Sequence, residues 1–374
     1  MQDDLQGWTL VDAFCGLGGF SAGALHALQT RGISNIRVVG IDFAAEPLAL
    51  FKTNVARVVG EENVVTVCKE IGKDAIEWPD ESGRLIVHFS PSCTPFSKAR
   101  RNSNPATPSQ LSHGLEIIEM ILDLILSKNY VRWTIEEVSH PSIVKLVSEF
   151  ASKHPEKIAY DTFDAVSFGC PSERRRLIVA PPYVIRSVKS KTSIKFLTPR
   201  DALHTFGLTP PSEFFRNGNL SCEPRSINRP AFTVTASHGL VWCTNDRILV
   251  RCMTPTESAA LVGLPPTWKL PNAVGAAQRA VGNVVSSALS HALVMSELEF
   301  IPYETSSELV ASSPADHATM NTLVTPTIEQ LIKTIVEREI GRMRDEILQS
   351  RKRGREDDHA ELVAHASAPS TSVL

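Results

Sequence analysis

A cysteine, two glutamates and three arginines fall in short segments that each adjoin an apolar run. Cys93 lies in SPSCTPFS at the end of RLIVHFS. Glu136 and Glu137 close VRWTIEEV, and Arg174, Arg175 and Arg176 lead into LIVAPP. Cysteine attacks as its thiolate. A lone cysteine is more often a buried structural residue, but a polar loop rich in proline, serine and threonine is an unusual place for one. Lys98, Arg100 and Arg101 follow it and would favour negative charge. Adjacent carboxyl groups at the end of an apolar strand invite a raised pKa and general acid work. Alternation along an extended chain sends Arg174 and Arg176 to the same side. There they can bind a carbonyl oxygen, a phosphate or the glutamates.

A second constellation lies nearer the N-terminus. In DAFCGLGGFSAG, Gly16, Gly18 and Gly19 allow a tight turn and close approach of a ligand. Asp42 ends the next apolar run, at the distance expected of an acid that grips ribose hydroxyls. Phe43 follows and offers a face for stacking, and Glu70 in CKEIG can accept from an exocyclic amine. The glycines are spaced G-x-G-G, not G-x-G-x-x-G, which disfavours a pyrophosphate cradle and suits a nucleoside without phosphate.

The elements that must position these residues alternate. WTLVDAF, IRVVGID, RLIVHFS, VRWTIEEV and RRRLIVAPP read as strands; GGFSAGALHALQ, PLALFKTN, LEIIEMILDLILS and SIVKLVSEFASK read as helices. This alternation predicts an α/β, doubly wound, parallel sheet covered on both faces. Loops at the carboxyl ends of its strands form the ligand crevice. After Pro182 the pattern gives way to a small irregular insertion over 183–228. Regular structure resumes at RPAFTVTA and ends in helices at TPTESAALVG and AVGNVVSSALSHALVM.

The chain has 374 residues, is 43% hydrophobic and carries a formal net charge of -3, so a nucleic-acid surface must be local. Its seven cysteines show no C-x-x-C spacing, which argues against a disulfide framework or a metal ribbon; no metal site is expected. Neither a signal peptide nor a membrane-spanning run is expected. An intracellular protein is expected, cytoplasmic in a prokaryote and nuclear in a eukaryote, where RKRGR would serve as an import signal. Residues 304–325 read as a linker, 326–352 as an amphipathic helix suited to self-association or protein docking, and 353–374 as a disordered tail.

Taken in order, the segments resemble the cytosine-C5 DNA methyltransferase family over roughly residues 8–300. DAFCGLGGFSAG is similar to the cofactor-binding motif, SPSCTPFS to the Pro-Cys nucleophile loop, IEEV to Glu-Asn-Val, and PSERRR to Gln-x-Arg-x-Arg. RPAFTVTA and the pair TPTESAALVGLPPTW and AVGNVVSSALSHAL resemble the closing motifs. The resemblance implies a Rossmann-like methyltransferase sheet with 1–182 and 229–303 as the catalytic domain and 183–228 as a short target-recognition region. It implies S-adenosyl-L-methionine as cofactor, held by Phe14, Gly16, Gly18, Gly19, Asp42, Phe43, Glu70, Ile71, Pro91, Asn283 and Val285. It also implies a mechanism on a flipped base in double-stranded DNA. Cys93 adds to C6 of cytosine, Glu136 engages N3 and the 4-amino group, Arg174 holds O2, and Arg176 braces the loop.

The chain departs from the family at Ser92, Thr94, Glu137 and Ser172, which stand for Pro, Gln, Asn and Gln. These departures leave a second reading open, a methyltransferase-fold binding module that has lost turnover. The Cys-Phe-Thr signature of the tRNA-methylating branch is absent, since Cys93 precedes Thr94-Pro95-Phe96, so DNA is expected over RNA. Residues 183–228 carry a local excess of Lys and Arg suited to phosphate contacts, and their shortness predicts a short or relaxed recognition site.

Overall fold

The computed structural model describes residues 7–97, 105–192, 196–218, 222–237 and 239–299. They lie within one compact unit, Met1–Pro302. Residues 303–374 lie outside the described residues. The expected linker, amphipathic helix and tail therefore lie outside them, as do Lys98, Arg100 and Arg101.

Seven strands build the main sheet: β1 (Trp8–Ala13), β2 (Ile36–Asp42), β3 (Val64–Cys68), β4 (Leu85–Phe89), β5 (Trp133–Glu137), β6 (Ala159–Asp164) and β7 (Arg175–Ala180), in the order β3-β2-β1-β4-β5-β7-β6. The pairs from β3 to β5 are parallel. Successive residues feed two cores, which is why the strands read as continuous apolar runs. Leu10, Ile86 and Ile178 join one core, while Val11, Val87, Ile135 and Leu177 join the other. Helices α1 (Gly19–Thr30), α2 (Ala45–Val59), α5 (Pro182–Ser190) and α9 (Ser287–Glu297) cover the first face; α3 (Pro108–Lys128) and α4 (Pro141–Lys153) cover the second.

β7 runs antiparallel to both β5 and β6, against the expectation of a wholly parallel sheet. Residues 165–174, including a 3-10 turn at Ala165–Phe168, join β6 to β7. That link is too short for the crossover a parallel pair requires. The reversal brings the start of β7 to the edge where β4 and β5 end.

Residues 183–228 are not an irregular insertion throughout. α5 begins at Pro182, and its Val184, Ile185 and Val188 are part of the core. α6 (Pro199–Thr205) follows. A small antiparallel sheet is ordered β11-β10-β8-β9, from β8 (Phe214–Asn217), β9 (Arg225–Ser226), β10 (Leu240–Cys243) and β11 (Leu249–Cys252). It extends well past residue 228. α3, α6 and α7 (Pro255–Leu261) all open on a threonine cap followed by proline, with a reciprocal bond from Gln110, Asp201 or Glu257. The segment AVGNVVSSALSHALVM, expected to be helical throughout, breaks at Asn283 between α8 (Val274–Gly282) and α9.

α9 packs on α1 at glycines. A Cβ at Gly23 would run into the Ser287 carbonyl oxygen and lie 2.7 Å from Ser290 Cβ. Among the described residues no helix is long and apolar enough to cross a membrane, and no group of three or more His, Cys, Asp or Glu could hold a metal ion.

Candidate active site

The reacting groups meet at the carboxyl edge of the sheet. β5 ends on Glu136 and Glu137, both buried. In the antiparallel register Glu136 faces Ile178 and Glu137 faces Leu177. Arg174 and Arg176 are buried while Arg175 is exposed, as alternation predicted. Arg176 Nε lies 2.7 Å from Glu136 Oε1, and both side chains are about one-tenth exposed (11% and 8%). Arg174 Nη1 donates to the Gly282 carbonyl at 3.2 Å, and its backbone N–H donates to Asp164.

Cys93 is half-buried on the loop after β4. Phe96 anchors that loop. Its N–H donates to the Cys93 carbonyl at 3.0 Å, and its buried ring meets His140. The ring sits so close to Gly114 of α3 that a Cβ there would be 2.6 Å away. Cys93, Arg174, Arg176, His140, Phe232 and Asn283 share the lining of a cleft of about 1050 Å³. Glu136 and Glu137 are not among the lining residues.

Burial raises the Cys93 thiol above its ordinary value; Glu137 adds to that, while Arg176 opposes it. Burial also pushes Glu137 up to about 8, against the Val138 N–H that donates to Oε2 at 2.7 Å. Burial, and then repulsion from Arg176, brings Arg174 down to about 10.

The second constellation sits on neighbouring strand ends. Asp42 Oδ2 accepts from Gly16 N–H at 3.0 Å, and Oδ1 accepts from Ala44 N–H at 2.9 Å. Phe14 holds a positive φ of 61°, a strained conformation for a bulky residue. Gly16 faces open space, since a Cβ there would meet nothing within 4 Å. Gly18 packs on Phe51, and Gly19 packs on Val284 and the Val285 carbonyl oxygen. Phe43 is 68% exposed. Asp42 pairs with Cys68 in the ladder, placing Glu70 and Ile71 just beyond the adjacent strand end. Glu70 is paired with Lys73 at 2.7 Å. Ile71, Pro91 and Val285 are buried, and Asn283 is exposed. The turn at 282–285 touches both constellations: Gly282 accepts from Arg174, and Val284 and Val285 close on Gly19.

Several residues were not anticipated. Asp12 is buried, with Oδ2 accepting from Ser21 N–H and Oγ; burial raises its carboxyl to about 7. Its place in the apolar run before the glycine turn was the available signal. Arg225 stacks on Phe232 at 3.7 Å and pairs with Glu173 at 2.8 Å at the cleft wall, an arrangement with no local sequence signature.

No family model and no curated protein sequence matches the chain. Solved structures do. A protein described as a candidate DNA modification methyltransferase, encoded within an E. coli prophage, aligns with TM-score 0.54 and 13% identity, over 78% of this chain and 99% of that one. The Entamoeba histolytica methyltransferase EhMeth aligns with TM-score 0.50 and 16% identity, over 79% and 98%. The S. pombe Dnmt2 methyltransferase aligns with TM-score 0.50 and 15% identity, over 78% and 98%. The chain has the fold of these methyltransferases. The α/β class expected from the sequence holds, with the reversed β7 as its amendment.

Proposed function

We propose that this chain is an S-adenosylmethionine-dependent methyltransferase acting on C5 of cytosine in DNA. The observation that carries the reading is the convergence of Cys93, Arg174 and Arg176 on one cleft, with Glu136 held at 2.7 Å from Arg176. The structural neighbours described as methyltransferases, one of them for DNA modification, support it.

The residues of the second constellation suit the cofactor. Asp42 keeps lone pairs beyond the two backbone N–H groups it accepts from. Phe43 offers an exposed ring, and Gly16 leaves open space beside them. Phe14, Gly18, Gly19, Glu70, Ile71, Pro91, Asn283 and Val285 are assigned to the same site. S-adenosylmethionine would supply an electrophilic methyl group on a sulfonium sulfur.

The work of the chain's own residues follows from their chemistry. The Cys93 thiolate adds to C6 of a flipped cytosine, and the ring electrons move toward C5. Glu136 hydrogen-bonds or protonates N3, oriented by Arg176. Arg174 offers a cation to the O2 oxygen. After methylation a base takes the C5 proton, the C5–C6 double bond re-forms, and Cys93 leaves as thiolate.

The test uses the full chain with labelled S-adenosylmethionine and DNA containing 5-fluorocytosine, whose fluorine cannot be removed as a proton. A denaturation-resistant protein–DNA adduct that disappears in Cys93→Ser is expected. Absence of both adduct and methyl transfer, on DNA and on RNA, overturns the reading.

A further inference from the structure

Glu136 and Glu137 are neighbours in sequence but not in role. Strand alternation sends Glu137 to the α3/α4 face with Trp133 and Ile135, while Glu136 shares the opposite face with Arg176. Glu136 thus has a counter-charge at 2.7 Å. Among the described residues Glu137 has no ion-pair partner: Oε2 accepts from Val138 N–H, and the buried Oε1 has no hydrogen-bond partner. The Cys93 loop crosses this strand end, because Phe96 is anchored in the α3-side core while Cys93 stays at the cleft.

The charges in this pocket can be counted among the described residues. Among the described residues, the charged groups acting on Cys93 are Glu137, Arg176, Glu136 and Arg174, with His140 also lining the cleft; the groups acting on Glu137 are Val138 N–H, Glu136 and Arg176. Two arginine cations balance Glu136 and one further anion. An ionised Glu137 and an ionised Cys93 together would leave one excess negative charge beside the buried Glu136, Glu137, Arg174 and Arg176, which is unfavourable. Of all the charged neighbours, Glu137 has the largest effect on the thiol.

We propose that Glu137 is a positioning residue that competes with Cys93 for the two arginine charges, so that the thiolate forms readily only while the Glu137 carboxyl holds its proton. This deepens the nucleophile assignment and rests on it for its functional meaning, but its physical content concerns the thiol alone. A glutamine at position 137 keeps the size and hydrogen bonding of the protonated acid and removes the competition. Glutamate, whose carboxyl is pushed by burial up to about 8, therefore displaces thiolate formation to higher pH.

The experiment measures iodoacetamide alkylation of Cys93 in the full chain from pH 6 to pH 10.5, with the Cys93 peptide resolved by mass spectrometry from the other cysteines. In the wild type, two coupled groups give a curve broader than a single titration. In Glu137→Gln the curve narrows to a single step, and its midpoint falls by about one pH unit or more, a roughly tenfold rise in thiolate at neutral pH. Glu137→Asp retains the broad, high-midpoint curve. A single-step wild-type curve overturns the proposal without any variant, as does a Glu137→Gln curve that superimposes on the wild type. The 5-fluorocytosine adduct is scored separately. Coupled alkylation without an adduct leaves this inference standing and removes the enzymatic reading; an adduct with uncoupled alkylation does the reverse.

Discussion

Replacing Arg176 with methionine removes the counter-charge of Glu136 while keeping much of the apolar stem. The pair is 2.7 Å apart with side chains 11% and 8% exposed, so solvent screening gives little relief. Breaking a buried ion pair by removing one partner costs about 3–5 kcal/mol, because a buried charge is left uncompensated. Glu136→Gln in the same chain removes that charge, and most of the loss is expected to return, giving a coupling of about 2–4 kcal/mol. Urea unfolding of wild type, both single variants and the double variant, followed through the buried Trp133 and Trp242, completes the cycle. Unchanged m-values would show that the midpoints report stability. A cost below about 1 kcal/mol for Arg176→Met, or additivity within about 0.5 kcal/mol, would refute the argument that this pair is a desolvated unit.

Three further outcomes test other parts of the molecule. Gly23→Ala is expected to lose about 1–3 kcal/mol in urea unfolding, because its Cβ collides with the Ser287 carbonyl and Ser290 Cβ; a neutral result would mean that α1 and α9 separate easily. Asn54→Ala strands the Lys269 N–H and C=O that the amide now satisfies, at a cost of about 1–3 kcal/mol; loss of less than half that would show that water replaces it. Glu297 is fully buried, neither carboxylate oxygen has a hydrogen-bond partner among the described residues, and burial raises it to about 8 against the opposing charge of Arg132. The folded state therefore holds a proton that the unfolded chain releases above its ordinary 4.5, and stability falls as pH rises from there through about 8. Urea midpoints at pH 5.5 and 8.5 should show a smaller fall in Glu297→Gln than in the wild type; an equal fall would remove Glu297 from the account.

The central strands were legible because both faces are buried, so Leu10-Val11 and Ile86-Val87 leave no polar position to confuse the pattern. The arginine alternation was legible for the same geometric reason, and the threonine-proline caps of α3, α6 and α7 announce themselves locally. The direction of β7 was not legible: an apolar run packs equally well either way, and only the short link from β6 decides it. β6 itself, AYDTFD, is half-buried and half-polar, which hides it. The small sheet uses strands of two to four residues, too few for a period to emerge. At the site, sequence gave the acids as a pair; their separation onto opposite faces depends on which residue ends the strand at the edge.

The close packing of α1 on α9 has a consequence in time. Ser287 donates to the carbonyl of Gly19 across 268 residues of chain. At a synthesis rate of roughly 5–20 residues per second, about 13–54 s elapse between the emergence of the first glycine turn and that of the helix that covers it. During that interval the face of α1 that packs on α9 has no final partner. Slower translation lengthens the exposure of that apolar face.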